Sequence, residues 1–128
     1  MQRTDSAMSD IKQCLRKKVL AERRALSFDR ISSMSLTLTE NLLALPEVND
    51  ASCIMAFLAM PGESNLDEFI RIMLKKGTRI CIPVCLPKRQ MEAGRIMDME
   101  HFEKGPLGLR NIPSGYDVIE PEQIDLVL

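Results

Sequence analysis

Apolar positions recur along this chain in two different periods. Ile31, Met34, Leu38, Leu42 and Leu45 follow at spacings of three, four, four and three, the strongest helical period present. Ser27 is placed to cap that helix, Asp29 falls in its first turn, and Pro46 stops it. Upstream, Ile11, Leu15, Val19 and Leu26 form a narrower stripe that predicts a helix from a Ser9 cap to about Ala25. The two helices are expected to form a hairpin that packs its stripes onto a following sheet. Met34 and Met73 fall on such stripes and read as core filler.

The period then changes. Cys53-Ile54-Met55-Ala56-Phe57-Leu58 is a nearly continuous apolar run, as in a strand buried on both faces. Pro61 and Gly62 end it, and Ser64 or Asn65 can cap a third helix with Leu66, Phe69, Ile70 and Met73 on one face. Lys75 and Lys76 suit its last turn and Gly77 its exit. Arg79 to Val84 is a second buried strand, expected to end near Pro83, which completes a right-handed βαβ unit. Lys88-Arg89-Gln90 reads as a polar turn, and Met91 to Met99 as a weaker strand interrupted by Gly94. From Glu103 to Pro121 the glycines and prolines predict a loop. Ile124 to Leu128 reads as another buried strand, within which the sequence stops.

The pattern predicts a doubly wound α/β fold with an N-terminal helical hairpin, cut short at the C-terminus. In such sheets ligands bind in loops at the carboxyl ends of strands. Glu63 lies in the loop after the first strand, where a carboxylate can accept hydrogen bonds from a ligand's N–H groups.

Composition narrows the picture only in part. With 128 residues the chain suits one domain, expected over 9–128, with 1–8 a disordered extension and either Met1 or Met8 as the start. A net charge of -1 gives no global field toward nucleic acid or membrane, and no apolar run approaches a membrane span. The N-terminus does not resemble a signal peptide, so cytoplasm is the expected location. Cys14, Cys53, Cys81 and Cys85 form no C-x-x-C pair and His101 stands alone, a poor set for zinc. Lys12, Arg16, Lys17, Lys18, Arg23 and Arg24 make the first helix basic. That stripe reads either as a solvated face or as a binding face for a polyphosphate.

Several stretches together resemble the 5-formyltetrahydrofolate cyclo-ligase family, also called methenyltetrahydrofolate synthetase. Lys12-Gln13-Cys14-Leu15-Arg16 resembles that family's Lys-x-x-Leu-Arg, and Arg23-Arg24-Ala25-Leu26-Ser27 its exit from the first helix. Ala56-Phe57-Leu58-Ala59-Met60-Pro61-Gly62-Glu63 is similar to its first strand and folate-binding loop. Gly77 to Pro83 and Met91-Glu92-Ala93 resemble its next two strands, and Pro121 to Leu128 its run into the phosphate-binding loop. The match spans nearly the whole chain from about Ser9. It departs at Gly108 to Pro113, which resembles the family's Gly-Ile-x-Glu-Pro only loosely, and at Gly94, where a larger residue is common.

The resemblance implies a three-layer α/β/α Rossmann-like sandwich with Ile124 to Leu128 beside the first strand, and ATP-dependent cyclisation of 5-formyltetrahydrofolate to 5,10-methenyltetrahydrofolate. ATP would phosphorylate the formyl oxygen, N10 would attack, and phosphate would leave. It implies ATP contacts at Lys12, Gln13, Cys14, Leu15 and Arg16, and substrate contacts at Leu58 and Glu63. ATP and magnesium are the implied cofactors. The magnesium ligand is expected in a glycine-rich Tyr-Tyr-Asp loop that this sequence does not contain. Two further readings stay open: a folate- or nucleotide-binding module without turnover, and a non-functional fragment. Partners are expected to be small molecules, and the residues leave the oligomeric state open.

Overall fold

The computed structural model describes residues 2–128, with side chains from residue 6 onward. Helix α1 (Gln2–Arg24) leads into α2 (Phe28–Leu43) and the short α3 (Pro46–Asp50). Strand β1 (Cys53–Met55), helix α4 (Asp67–Lys75) and strand β2 (Arg79–Leu86) follow. The remainder is β3 (Gln90–Ile96), β4 (Glu103–Lys104), β5 (Arg110–Asn111), β6 (Val118–Ile119) and β7 (Leu126–Val127). The main sheet runs β6-β3-β2-β1-β7, while β4 and β5 form a separate two-stranded ribbon.

Strands β7, β1 and β2 are parallel, β3 is antiparallel to β2, and β6 is antiparallel to β3. The α/β architecture is thus the expected one, with a mixed sheet. The end of the chain lies beside the first strand, as the resemblance implies, with Ile54 opposite Leu126. Asp125 stitches this edge: its Oδ2 accepts from the backbone N–H of Ser52 at 2.8 Å and of Cys53 at 3.0 Å. Those two bonds satisfy the start of β1, where the ladder alone would leave donors unpaired.

The core lies on one face of the sheet. Ile54, Ala56, Ile80, Ile82 and Ile96 point toward α4, whose Phe69, Ile70 and Met73 are fully buried with Leu66 just ahead of it. Each large side chain buried there contributes about 1.5–3 kcal/mol. On α2, Leu38 and Leu42 pack against this cluster, and α3 adds buried Val48. The opposite face carries a smaller cluster of Cys53, Cys81, Ala93 and Ile119, flanked by Met55 and Ile124, to which none of the described helical residues belongs.

Several local expectations are corrected. Helix α1 begins at Gln2, so Ser9 lies inside it rather than at its cap. Its stripe does not pack on the sheet: Ile11, Leu15 and Val19 are exposed, as is Met34 of α2. The buried positions of α2 are instead Ser35 and Thr39. Ser27 does cap α2, its Oγ accepting from the Arg30 N–H at 3.1 Å. Pro46 ends α2 and also opens α3, where its missing N–H costs nothing.

Pro83 does not end β2, which runs on to Leu86 opposite Gln90. Strand β1 pairs with β2 only up to Cys81, so beyond that point a proline leaves no ladder bond unmade on that side. Gly94 lies inside β3 and pairs with Ile82. A Cβ there would stand 2.6 Å from Ile112 Cδ1 and 2.9 Å from both Tyr116 Cδ2 and Val84 Cγ2. The glycine therefore makes room for the segment after β5 to lie on the sheet. The expected 103–121 loop holds the β4–β5 ribbon and β6.

Candidate functional site

The loop from Ala56 to Leu66 joins the carboxyl end of β1 to α4. Its apolar start stays on the core, with Phe57 and Leu58 packed against the main cluster. It then turns at Met60 to Glu63, where the Glu63 N–H donates to the Met60 carbonyl at 3.0 Å and Gly62 takes φ 87°. Left-handed backbone of that kind favours glycine. Near its end the Asn65 N–H donates to buried Ser35 Oγ of α2 at 2.9 Å. Asn65 Oδ1 in turn accepts from the Asp67 N–H at 2.6 Å, but the cap position of α4 is Leu66, which makes no side-chain cap bond, so neither Ser64 nor Asn65 is the cap expected. Ser35 thus accounts for a polar position on the inner face of α2.

Leu58 lines a groove of about 300 Å³ between β2, β3 and the β5 segment. Ile82, Val84 and Met91 form its floor, and Leu109 to Ile112 its far wall. Glu63 is half-buried in the same loop but does not line this groove. Of the two predicted substrate residues, Leu58 reaches the groove and Glu63 stands at the turn beyond it.

The five α1 residues lie elsewhere. Lys12, Gln13, Cys14, Leu15 and Arg16 are all exposed, and none lines the groove. Lys12, Leu15 and Arg16 share an open face of α1 with Val19, Leu20 and Arg23. Cations beside apolar side chains fit the phosphates and the base of a nucleotide in chemistry. Gln13 and Cys14 do not line that face.

Magnesium fits less well. Among the described residues no three His, Cys, Asp or Glu side chains converge to hold a metal ion. His101 is exposed and engaged with Asp98, Nδ1 to Oδ2 at 2.9 Å. That bond raises the imidazole above its ordinary value, while the Glu100 N–H first, and His101 second, hold the Asp98 carboxyl below its own. Among the described residues no helix is long and apolar enough to cross a membrane.

Arg110 was not singled out by the sequence. Its guanidinium donates to both carboxylate oxygens of Asp67, at 2.7 Å and 3.1 Å, and to the Ala59 carbonyl at 3.1 Å. Asp67 could be read as a first-turn acid, but its partner lies 43 residues on, in a stretch with no period. An isolated arginine between glycine turns is the one local signal. Tyr116 was missed too: its hydroxyl donates to Glu92 at 2.5 Å across the sheet edge.

Comparison with known proteins agrees with this geometry. The model of the 5-formyltetrahydrofolate cyclo-ligase family matches residues 8–128. The NMR structure of the Aquifex aeolicus 5,10-methenyltetrahydrofolate synthetase superposes with a TM-score of 0.76 at 25% identity, covering 91% of this chain and 59% of that one. The Mycoplasma pneumoniae 5,10-methenyltetrahydrofolate synthetase shares the fold, with a TM-score of 0.65 at 20% identity over 91% of this chain and 61% of its own. This chain therefore spans about three fifths of the solved proteins it resembles. No curated protein matches the sequence. A family match over nearly the full chain, on the fold and loop described above, establishes that this chain belongs to the 5-formyltetrahydrofolate cyclo-ligase family.

Proposed function

We propose that this chain serves the ATP-dependent closure of 5-formyltetrahydrofolate to 5,10-methenyltetrahydrofolate by holding the folate. The observation that carries the reading is the β1–α4 loop: it lies at the carboxyl end of a parallel strand and sets Leu58 into a groove. Leu58 is an apolar wall for the substrate, and Glu63 accepts hydrogen bonds from the pterin N–H groups. Charge-assisted bonds of that type contribute roughly 1.5–3 kcal/mol each. Lys12 and Arg16, one turn apart on α1, hold the ATP phosphates, with Leu15 between them. The four free cysteines suit a reducing compartment, and we place the protein in the cytoplasm.

A second reading, a folate-binding module without turnover, is favoured by one observation. The open cationic face of α1 lies away from the groove, whose lining carries the single cation Arg110, and among the described residues no three metal-ligating side chains converge. Charge developing on a transferred phosphoryl group needs compensation from several sides. The test is to supply residues 1–128 with 5-formyltetrahydrofolate, ATP and magnesium. Binding is followed by calorimetry and product by its absorbance. Saturable folate binding without product is the expected result for the chain by itself. Binding with steady ATP-dependent product would overturn the module reading, and absence of folate binding would overturn both.

A further inference from the structure

The loop carrying Leu58 and Glu63 is hydrogen-bonded to the β4–β5 ribbon through the side chain of Arg110. Arg110 opens β5, and its fork grips Asp67 at the first turn of α4 with two bonds, at 2.7 Å and 3.1 Å. Its third bond goes to the Ala59 carbonyl, one residue from Leu58. The pair is well shielded, the arginine 25% and the aspartate 19% exposed. Two-pronged geometry and shielding set it apart from the surface ion pairs that contribute little. The Phe102 ring lies 5.7 Å beneath the guanidinium and limits its swing. A second contact runs alongside: Gly108, at φ 79°, lies so close that a Cβ would stand 3.1 Å from Pro61 Cγ.

The electrostatics are specific. A bare cation at a helix N-terminus is disfavoured by the helix dipole. Asp67, acidic and in the first turn of α4, satisfies both the dipole and the guanidinium. Lysine could neutralise Asp67, but its point charge cannot make the parallel bonds and still reach the Ala59 carbonyl.

We infer that Arg110 and Asp67 are positioning residues whose ion pair fixes the β1–α4 loop in the conformation that presents Leu58 and Glu63 to a reduced folate. The inference rests on the folate reading of that loop. It also separates two roles for Arg110, which lines the groove itself, whereas Asp67 does not. A guanidinium acting only by touching the ligand makes Asp67 irrelevant to affinity. A guanidinium acting by fixing the loop makes the two residues equivalent.

The experiment uses residues 1–128 with Arg110→Ala, Arg110→Lys, Asp67→Asn and the Arg110→Ala/Asp67→Asn double variant. Two readouts are taken: calorimetric affinity for 5-formyltetrahydrofolate and amide hydrogen exchange. Each single variant is expected to weaken the folate by about tenfold, with the double variant no worse than Arg110→Ala. Arg110→Lys should fail to restore affinity. Exchange at residues 57–66 should accelerate by about tenfold, while β2 and the second half of α4 keep their protection. Asp67→Asn keeps the side-chain size, so it carries the test should Arg110→Ala fail to fold. Full affinity in Asp67→Asn overturns the positioning role and leaves direct contact. Unchanged exchange at 57–66 overturns the clamp even where the folate binds. Faster exchange in a chain whose wild type binds no folate upholds the clamp and overturns the folate reading.

Discussion

Helices α1 and α4 both carry an apolar stripe, and only α4 buries its own. Phe69, Ile70 and Met73 are at most 1% exposed, whereas Ile11, Leu15 and Val19 are 53–66% exposed. The two differ in what the topology sets beside them. Helix α4 is the crossover of a βαβ unit, so its two neighbouring strands dictate where it lies. Helix α1 runs into α2 through the turn at Ala25 to Ser27, and none of its described side chains belongs to either apolar cluster. A helical period thus fixes which face is apolar, and the connection fixes whether anything covers it.

That comparison makes a steep prediction. Phe69→Ala should cost about 3–5 kcal/mol of stability, as expected for emptying a packed site. Leu15→Ala should stay within about 0.5 kcal/mol, as at other exposed positions. Urea denaturation of both variants checks this, and equal losses would mean that α1 is packed as firmly as α4.

A smaller effect probes the same covered face from the other side. Gly94→Val should destabilise by roughly 1–3 kcal/mol, because overfilled sites force neighbours off their rotamers. The added carbons would meet Ile112, Tyr116 and Val84, so the segment after β5 should lift while β2 and β3 hold. Loss of the Tyr116–Glu92 bond is the local marker: that bond holds the phenol above its ordinary value, and ultraviolet titration should show it fall.

The thiols sharpen the contrast without altering stability. Cys14 of α1 and Cys85 at the distal end of β2 are exposed, whereas Cys53 and Cys81 are buried in the sheet. Burial, aided by neighbouring Cys53, pushes the Cys81 thiol up to about 11. At neutral pH a thiol reagent should therefore label Cys14 and Cys85 fast, and Cys53 and Cys81 only on unfolding. Fast labelling of all four would mean that the second sheet face opens readily.

Much of the fold was legible in the sequence. The stripe of Leu66, Phe69, Ile70 and Met73, the Ser27 cap, the Gly77 exit and the strand at Leu126 all rest on local rules. What escaped depends on distant partners. Ser35 is buried because it serves the Asn65 N–H, and Met34 is exposed because α2 turns that polar face inward. Gly94 reads as a break until Ile112 and Tyr116 are brought over it. Within the candidate site, Glu63 was marked by its place in the loop after a buried strand, and Leu58 by the family resemblance alone. Arg110 and Asp67 were not, since neither has a neighbour in sequence that predicts the other.

The proposal that the β1–α4 loop reads the folate is tested most directly by Glu63→Gln. The change keeps shape and removes the charge at a turn held by backbone bonds, so the melting temperature should hold. Affinity of residues 1–128 for 5-formyltetrahydrofolate should fall by about tenfold or more, the equivalent of roughly 1.5–3 kcal/mol for a charge-assisted bond. Affinity for ATP should stay as it was. Unchanged folate affinity, or equal loss of both ligands, would contradict the claim that this loop reads the pterin.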